Sequence, residues 1–228
     1  LLNKCDLADE RKTALWSGHF KEQGCQVVLV NSRSGSGLKS IHGAVQEACK
    51  EKIERDRKRG ILNRPIRAMV AGIPNVGKST FINSFAGKAC TKTGNKPGVT
   101  RGAQWVRLNK QVELLDTPGI LWPRFEDPRA GVRLAMIGSV KDEVLNTEEL
   151  ALELLQFLHT EYPGVLAQRY GIHETEDAFA ALLEIAESRG CLLKGGQPDL
   201  QKAVGIVLEE FRSGRLGRFT LEIPEKEN

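Results

Sequence analysis

The 228 residues carry a formal net charge of +4, with 40% hydrophobic and 27% charged residues, enough for one medium domain and a smaller second one, each with its own core. The longest apolar runs, such as Val27-Val28-Leu29-Val30, are strand-sized. No 18-residue apolar stretch and no signal-peptide pattern occurs in these residues, so a membrane-spanning class is excluded as the reading. Five cysteines stand singly, an odd number without a C-x-x-C pair, which suggests neither a disulfide framework nor a zinc site and suits a reducing cytoplasm.

Leu1-Leu2 reads as the tail of a buried strand whose beginning lies upstream. Asn3-Lys4-Cys5-Asp6 follows, an N-K-x-D pattern. A carboxylate such as Asp6 accepts from both the ring N–H and the exocyclic amine of guanine, a donor pair that adenine lacks. Asn3 is expected at the other base edge, with the Lys4 stem over the ring plane. Alone, the tetrapeptide is equally well explained as a capped helix start at Asp6 or Asp9. Residues 9–24 predict an amphipathic helix with Ala14, Leu15, Trp16 and Phe20 inward and Gly24 as its stop.

The strand Gln26–Val30 opens into Asn31-Ser32-Arg33-Ser34-Gly35-Ser36-Gly37, a small polar loop at the carboxyl edge of a parallel sheet, where α/β proteins bind ligands. Asn31 and Ser32 are read as a base-capping loop, the Ser32 N–H aimed at the guanine keto oxygen. One long helix is expected from Leu38 to about Gly60, with Ile41, Val45, Ala48, Cys49 and Ile53 on one face. Its charged end, residues 50–59, is either a solvated helix terminus or an RNA contact.

Ile66–Ala71 then runs as a strand into Gly72-Ile73-Pro74-Asn75-Val76-Gly77-Lys78-Ser79, with helical character from Thr80. That is a phosphate-binding loop in its required strand-loop-helix context. Gly72 and Gly77 permit the tight turn that aims backbone N–H groups at phosphate oxygens, assisted by the positive end of the helix. Asn75, Val76, Gly77, Lys78, Ser79 and Thr80 are expected to line the nucleotide, with Lys78 on the β and γ phosphates and Ser79 on magnesium.

Residues 90–101 form a long aperiodic loop, the kind that is functional or mobile inside a compact domain. Thr100 in it is assigned to magnesium when a γ phosphate is present. A hairpin of strands 104–108 and 111–115 leads into Asp116-Thr117-Pro118-Gly119, with Asp116 suited to magnesium through water and the Gly119 N–H to the γ phosphate. Trp122, Pro123, Phe125 and Pro128 make the next segment stiff. Four helices follow, at 129–137, 147–159, 175–189 and 198–212, with core stripes from Leu150, Leu154, Leu155 and Leu158 and from Phe179, Leu182, Leu183, Ile185 and Ala186. His159 and His173 read as surface or packing residues, and residues 141–228 hold no catalytic cluster.

Charge divides along the same line. Residues 1–140 hold 24 Lys and Arg against 12 Asp and Glu, a balance of +12, whereas 141–228 hold 9 against 17, a balance of −8. The basic part suits a polyanionic partner such as nucleic acid, or is a solvated surface.

Guanine loop, base-capping loop, phosphate loop, first switch and second switch therefore occur in that order, the base loops ahead of the phosphate loop. With D-T-P-G-I-L-W-P at 116–123 and F-R-S-G-R-L-G-R-F-T-L-E at 211–222, the chain resembles the circularly permuted GTPases of the translation-factor class, in particular the ribosome biogenesis GTPase A, or YlqF, type. The resemblance implies an α/β P-loop GTPase fold with a mostly parallel, circularly permuted sheet over residues 1–140, followed by a small all-helical, RNA- or ribosome-contacting domain at 141–228.

It further implies a GTP-hydrolysing assembly factor acting on the large ribosomal subunit and its rRNA, monomeric and cytoplasmic. GTP or GDP is the ligand, Mg2+ the cofactor at Ser79, Thr100 and Asp116, and K+ a second ion at Asn75, which otherwise only braces the loop. Lys78, Thr100 and Gly119 are the catalytic set. Ile120 stands where many GTPases place a water-orienting glutamine, so the resemblance implies a histidine from upstream, and slow hydrolysis stimulated by ribosome and potassium. The competing reading is a nucleotide-gated RNA- or ribosome-binding scaffold with negligible hydrolysis in its cycle. Because the chain leaves the first domain just after the second switch, nucleotide state is expected to reorient the helical domain.

Overall fold

The computed structural model describes residues 1–62, 64–91, 102–107, 112–121 and 127–224. The chain forms two compact units, one of Leu1–Trp122 together with Phe219–Asn228 and one of Pro123–Arg218.

In the first unit, Leu2 and Leu29 lie side by side in parallel, Leu2 N–H donating to Val28 O at 3.0 Å and Val30 N–H to Leu2 O at 2.9 Å. β1 (Ile66–Val70) pairs in parallel with β3 (Val112–Asp116), and β2 (Gln104–Arg107) pairs antiparallel with β3, giving the order β1-β3-β2. The register sets Val70 beside Asp116, so the phosphate loop and the Asp116 turn leave the same edge of the sheet. Residues 109 and 110, read as the hairpin turn, lie outside the described residues.

β1 alternates as a half-covered strand should, with Arg67 and Met69 outward and Ile66, Ala68 and Val70 turned toward the core. That core is Val30, Ile41, Phe81, Ile82, Val106, Val112 and Leu114. It binds α2 (Leu38–Ala48) and α4 (Lys78–Ala86) to the sheet and fixes the helix that starts the phosphate loop. Stacking of Phe81 on Phe85, 5.4 Å between centroids, extends it.

Two expectations for this unit need correction. The single helix over 38–60 is two, α2 and α3 (Lys50–Lys58), because Cys49 adopts φ −104° and ψ 8° and ends α2. α1 (Glu10–Glu22) buries none of its residues, and Leu15 is 54% exposed. Trp16 stacks on Phe20 at 5.6 Å instead, and its Nε1–H donates to Glu222 O at 3.0 Å. Asp9 caps α1 by accepting from Arg11 N and Lys12 N.

The second unit is helical: α5 (Pro128–Met136), α6 (Thr147–Glu161), α7 (Val165–Tyr170), α8 (Ala178–Ser188) and α9 (Leu200–Ser213). Asp127, Asn146, Asp177 and Asp199 supply side-chain N-caps to all but α7. Leu150, Leu154, Leu155, Leu158, Leu182, Ile185, Ala186, Val204 and Val207 form its core, whereas Phe179, expected inside, is 44% exposed.

The unit begins earlier than residue 141, because α5 belongs to it. Arg212 on α9 donates to Ala135 O at 2.8 Å and Met136 O at 2.9 Å, carbonyls at the end of α5, and grips Asp142 with two further bonds of 2.7 and 2.8 Å. A second ionic crossing joins α7 and α9, where Arg169 meets the buried Glu210 through bonds of 2.9 and 2.7 Å.

Candidate nucleotide-binding site

The residues read as guanine loop, base-capping loop and phosphate loop meet at one place. Asn3 does the joining. Its Oδ1 accepts from Ser32 Oγ at 2.8 Å and Ser32 N at 3.2 Å, while its Nδ2 donates to Val76 O at 2.9 Å. Asn3 is thus a staple across three segments rather than a free base-edge contact, and the Ser32 amide expected on guanine is given to Asn3. Gly77 is required beside it, because a Cβ there would stand 2.5 Å from Asn3 Nδ2, and its φ of 93° is a conformation that glycine tolerates best. Asn31 spends its side chain on a local turn, accepting from Arg33 N at 2.9 Å and Ser34 N at 3.1 Å.

Lys4 stands at φ 57° and donates through Nζ to Asn75 O at 2.8 Å. Burial holds its ammonium below the ordinary lysine range, helped by the Arg33 charge and opposed by Asp6. Asp6 follows in a turn closed by Leu7 N–H donating to Lys4 O at 2.9 Å. Lys78 Nζ donates to Gly72 O at 2.9 Å and Ile73 O at 2.7 Å, closing the phosphate loop on itself. Burial lowers the Lys78 pKa, and Asp116 raises it.

Asp116 is fully buried, and neither carboxylate oxygen has a hydrogen-bond partner. Burial pushes its pKa up, while Lys78 draws it down; Gln104 and the Thr117 N–H also draw it down without reaching good hydrogen-bond geometry. Two orphaned carboxylate oxygens beside a lysine and a helix N-terminus fit a divalent cation and its waters. Thr117 Oγ1 donates to Val70 O at 2.8 Å and fixes this turn to the end of β1.

Gly119 lies against the phosphate loop so closely that a Cβ would be 2.6 Å from Pro74 Cα and 3.0 Å from Lys78 Nζ. Ile120, 72% exposed, carries no group able to orient water. Ser79 and Thr80 begin α4 as expected. Thr100 lies outside the described residues.

Sequence reasoning missed Asn83 and Ser84 on α4. Asn83 Oδ1 accepts from Cys90 N and Thr91 N, each at 2.8 Å, and its Nδ2 donates to Thr91 O, anchoring residues 90 and 91 to α4. Ser84 Oγ donates to Ser32 O, tying α4 to the base-capping loop. A polar residue inside a helix carries no signal of such a role.

A strand-loop-helix phosphate site, an acidic turn one strand away and an N-K-x-D loop stapled onto them define a P-loop GTPase whose base loops precede its phosphate loop in the chain. A family model described as 50S ribosome-binding GTPase matches residues 67–187. Ribosome biogenesis GTPase A of Bacillus cereus is 46% identical over 227 residues, covering 99% of this chain and 77% of that protein. Its Thermotoga maritima counterpart is 33% identical over 226 residues, covering 99% and 76%. Among solved structures, GDP-bound YlqF matches with a TM-score of 0.63 and 30% identity, over 97% of this chain and 81% of that one. GNP-bound YlqF from T. maritima matches at 0.62 and 30%, over 98% and 80%. The chain belongs to the ribosome biogenesis GTPase A family.

Proposed function

We propose that this protein binds GTP with Mg2+ and hydrolyses it slowly while acting on the large ribosomal subunit or its precursor, as a monomer in the cytoplasm. The observation that carries the reading is the bonding of the N-K-x-D segment onto the phosphate loop through Asn3 and Lys4, which supports reading Asp6 and Lys78 as parts of one site.

In this reading Asp6 accepts the two guanine N–H donors, with the Lys4 stem along the base. Phosphate oxygens replace the Gly72 and Ile73 carbonyls on Lys78, whose charge then faces the β and γ groups, and the loop N–H groups and the Gly119 N–H complete the cradle. Ser79, Asp116 and Thr100 would hold Mg2+, which when bound neutralises phosphate charge. Asn75 is proposed as a K+ ligand. Ile120 cannot position water, so intrinsic turnover is slow and rises when the ribosomal partner or K+ is present. The basic residues of 50–59, among them Lys52, Arg55 and Arg59, and a face of the helical unit are the proposed rRNA contacts.

The exposed Ile120 also favours a second reading, a nucleotide-gated scaffold that hardly hydrolyses. Co-sedimentation with ribosomal subunits under GDP, a GTP analogue and no nucleotide, followed by single-turnover hydrolysis on those particles in K+ and in Na+, separates the two. The GTPase reading expects analogue-dependent binding to large subunits and faster turnover in K+ with particles. Equal binding in all nucleotide states contradicts both readings.

A further inference from the structure

Phe219 to Glu222 come back to the first unit as a strap along the guanine loop and α1. Phe219 N–H donates to Leu7 O at 2.9 Å, and Thr220 Oγ1 accepts from Asp9 N–H at 3.1 Å. Thr220 O takes a 3.5 Å contact from Lys12 Nζ, and Glu222 O accepts from Trp16 Nε1 at 3.0 Å.

These bonds all fall just downstream of Asp6, the one acidic side chain that the proposed reading assigns to base choice. On its upstream side the Asp6 turn is fixed by Asn3, by Lys4 and by Cys5 N–H donating to Val30 O at 3.2 Å. Downstream, the chain passes through Leu7 and Asp9 before α1 starts. α1 buries no residue and so supplies little anchorage of its own. The strap occupies both the Leu7 carbonyl and the Asp9 amide, two backbone groups that flank the downstream half of the turn.

We infer that residues 219–222 are a positioning element for base selection: by pinning Leu7 and Asp9 they hold the Asp6 carboxylate where it meets both guanine donors together. The inference rests on the reading of Asp6 as the guanine ligand. It also gives a reason for the chain to return to the first unit after α9. Only Gly217 and Arg218 separate Phe219 from Leu216, which is buried in the helical unit.

The test uses GDP and inosine diphosphate, which differ only in the exocyclic amine, so that their affinity ratio reports the second hydrogen bond to Asp6. In the full chain, Thr220→Val removes the acceptor for the Asp9 amide at nearly constant volume, and Trp16→Phe removes the donor to Glu222. Each variant is expected to shrink the GDP-to-inosine-diphosphate ratio roughly three- to tenfold, the loss of about one hydrogen bond, and to quicken GDP release, with Thr220→Ser restoring the ratio. General loosening of the protein would weaken both nucleotides alike. A ratio unchanged in both variants, with the fold intact by circular dichroism, overturns the inference. A wild-type ratio of one fails the guanine reading itself, whatever the variants do.

Discussion

Asp116 concentrates the electrostatic tension of the site at a single residue. A buried carboxylate with both oxygens unpartnered destabilises the nucleotide-free protein, and the same orphaned oxygens suit it to a cation. Its folded pKa is raised by burial, so between the unfolded carboxylate value and the raised one the native state keeps a proton that the unfolded state has lost. Stability from this group therefore falls as pH rises through that window. Asp116→Asn is expected to raise nucleotide-free stability at neutral pH by about 1 kcal/mol, to show that gain shrinking toward acid pH, and to abolish Mg2+-dependent GTP binding. Thermal melts across pH with a gain independent of pH would contradict the assignment. Asn3 illustrates what residue type alone leaves open. Its presence beside Asp6 was legible, but whether its amide would face a base or bridge Ser32 and Val76 depended on where residues 29 and 73 positions away in sequence come to lie.

At the scale of elements, the strand into the phosphate loop, α4 and the strand into Asp116 follow the sequence closely, because each has a period and a punctuating Gly, Asp or Lys-Ser pair. The expected helix over 38–60 breaks at Cys49, since unbroken amphipathic spacing carries no sign of a local change in φ and ψ. α1 reads as amphipathic yet none of its residues is fully buried, because hydrophobic spacing says which face could be buried and not how completely its partner covers it.

The place of α5 beside α9 is invisible to the sequence for a similar reason: Arg212 joins them, a contact across 76 residues or more. Arg212→Ala removes the donor to Met136 O and to Asp142 and one of the two donors to Ala135 O, and is expected to cost about 2–3 kcal/mol. Arg212→Lys should recover only part of it, because one ammonium cannot reproduce the planar fork. Chemical denaturation followed by far-ultraviolet circular dichroism measures both. An alanine variant as stable as wild type would remove Arg212 as the link between α5 and α9.

For the whole molecule, the permuted GTPase class was legible from the base loops standing ahead of the phosphate loop, whereas the first-switch residue Thr100 lies outside the described residues. The chain leaves the first unit just after Gly119, which lies within contact of Pro74 and Lys78, and comes back at Phe219 beside the guanine loop. Both ends of the helical unit are thereby joined to segments that the proposed function assigns to the nucleotide site. Solution scattering is expected to differ between the GDP state and a GTP-analogue state, and superimposable profiles would count against reorientation of the helical unit.

Everything else depends on Asp6 and the phosphate loop serving one purine site. Calorimetric titration of the wild type and of Asp6→Asn with GDP and with ADP measures that directly. The wild type is predicted to bind GDP ~100-fold or more tightly than ADP, and Asp6→Asn to lose most of the difference while retaining its fold. Equal affinity of the wild type for the two nucleotides, or a GDP preference untouched by Asp6→Asn, would contradict it.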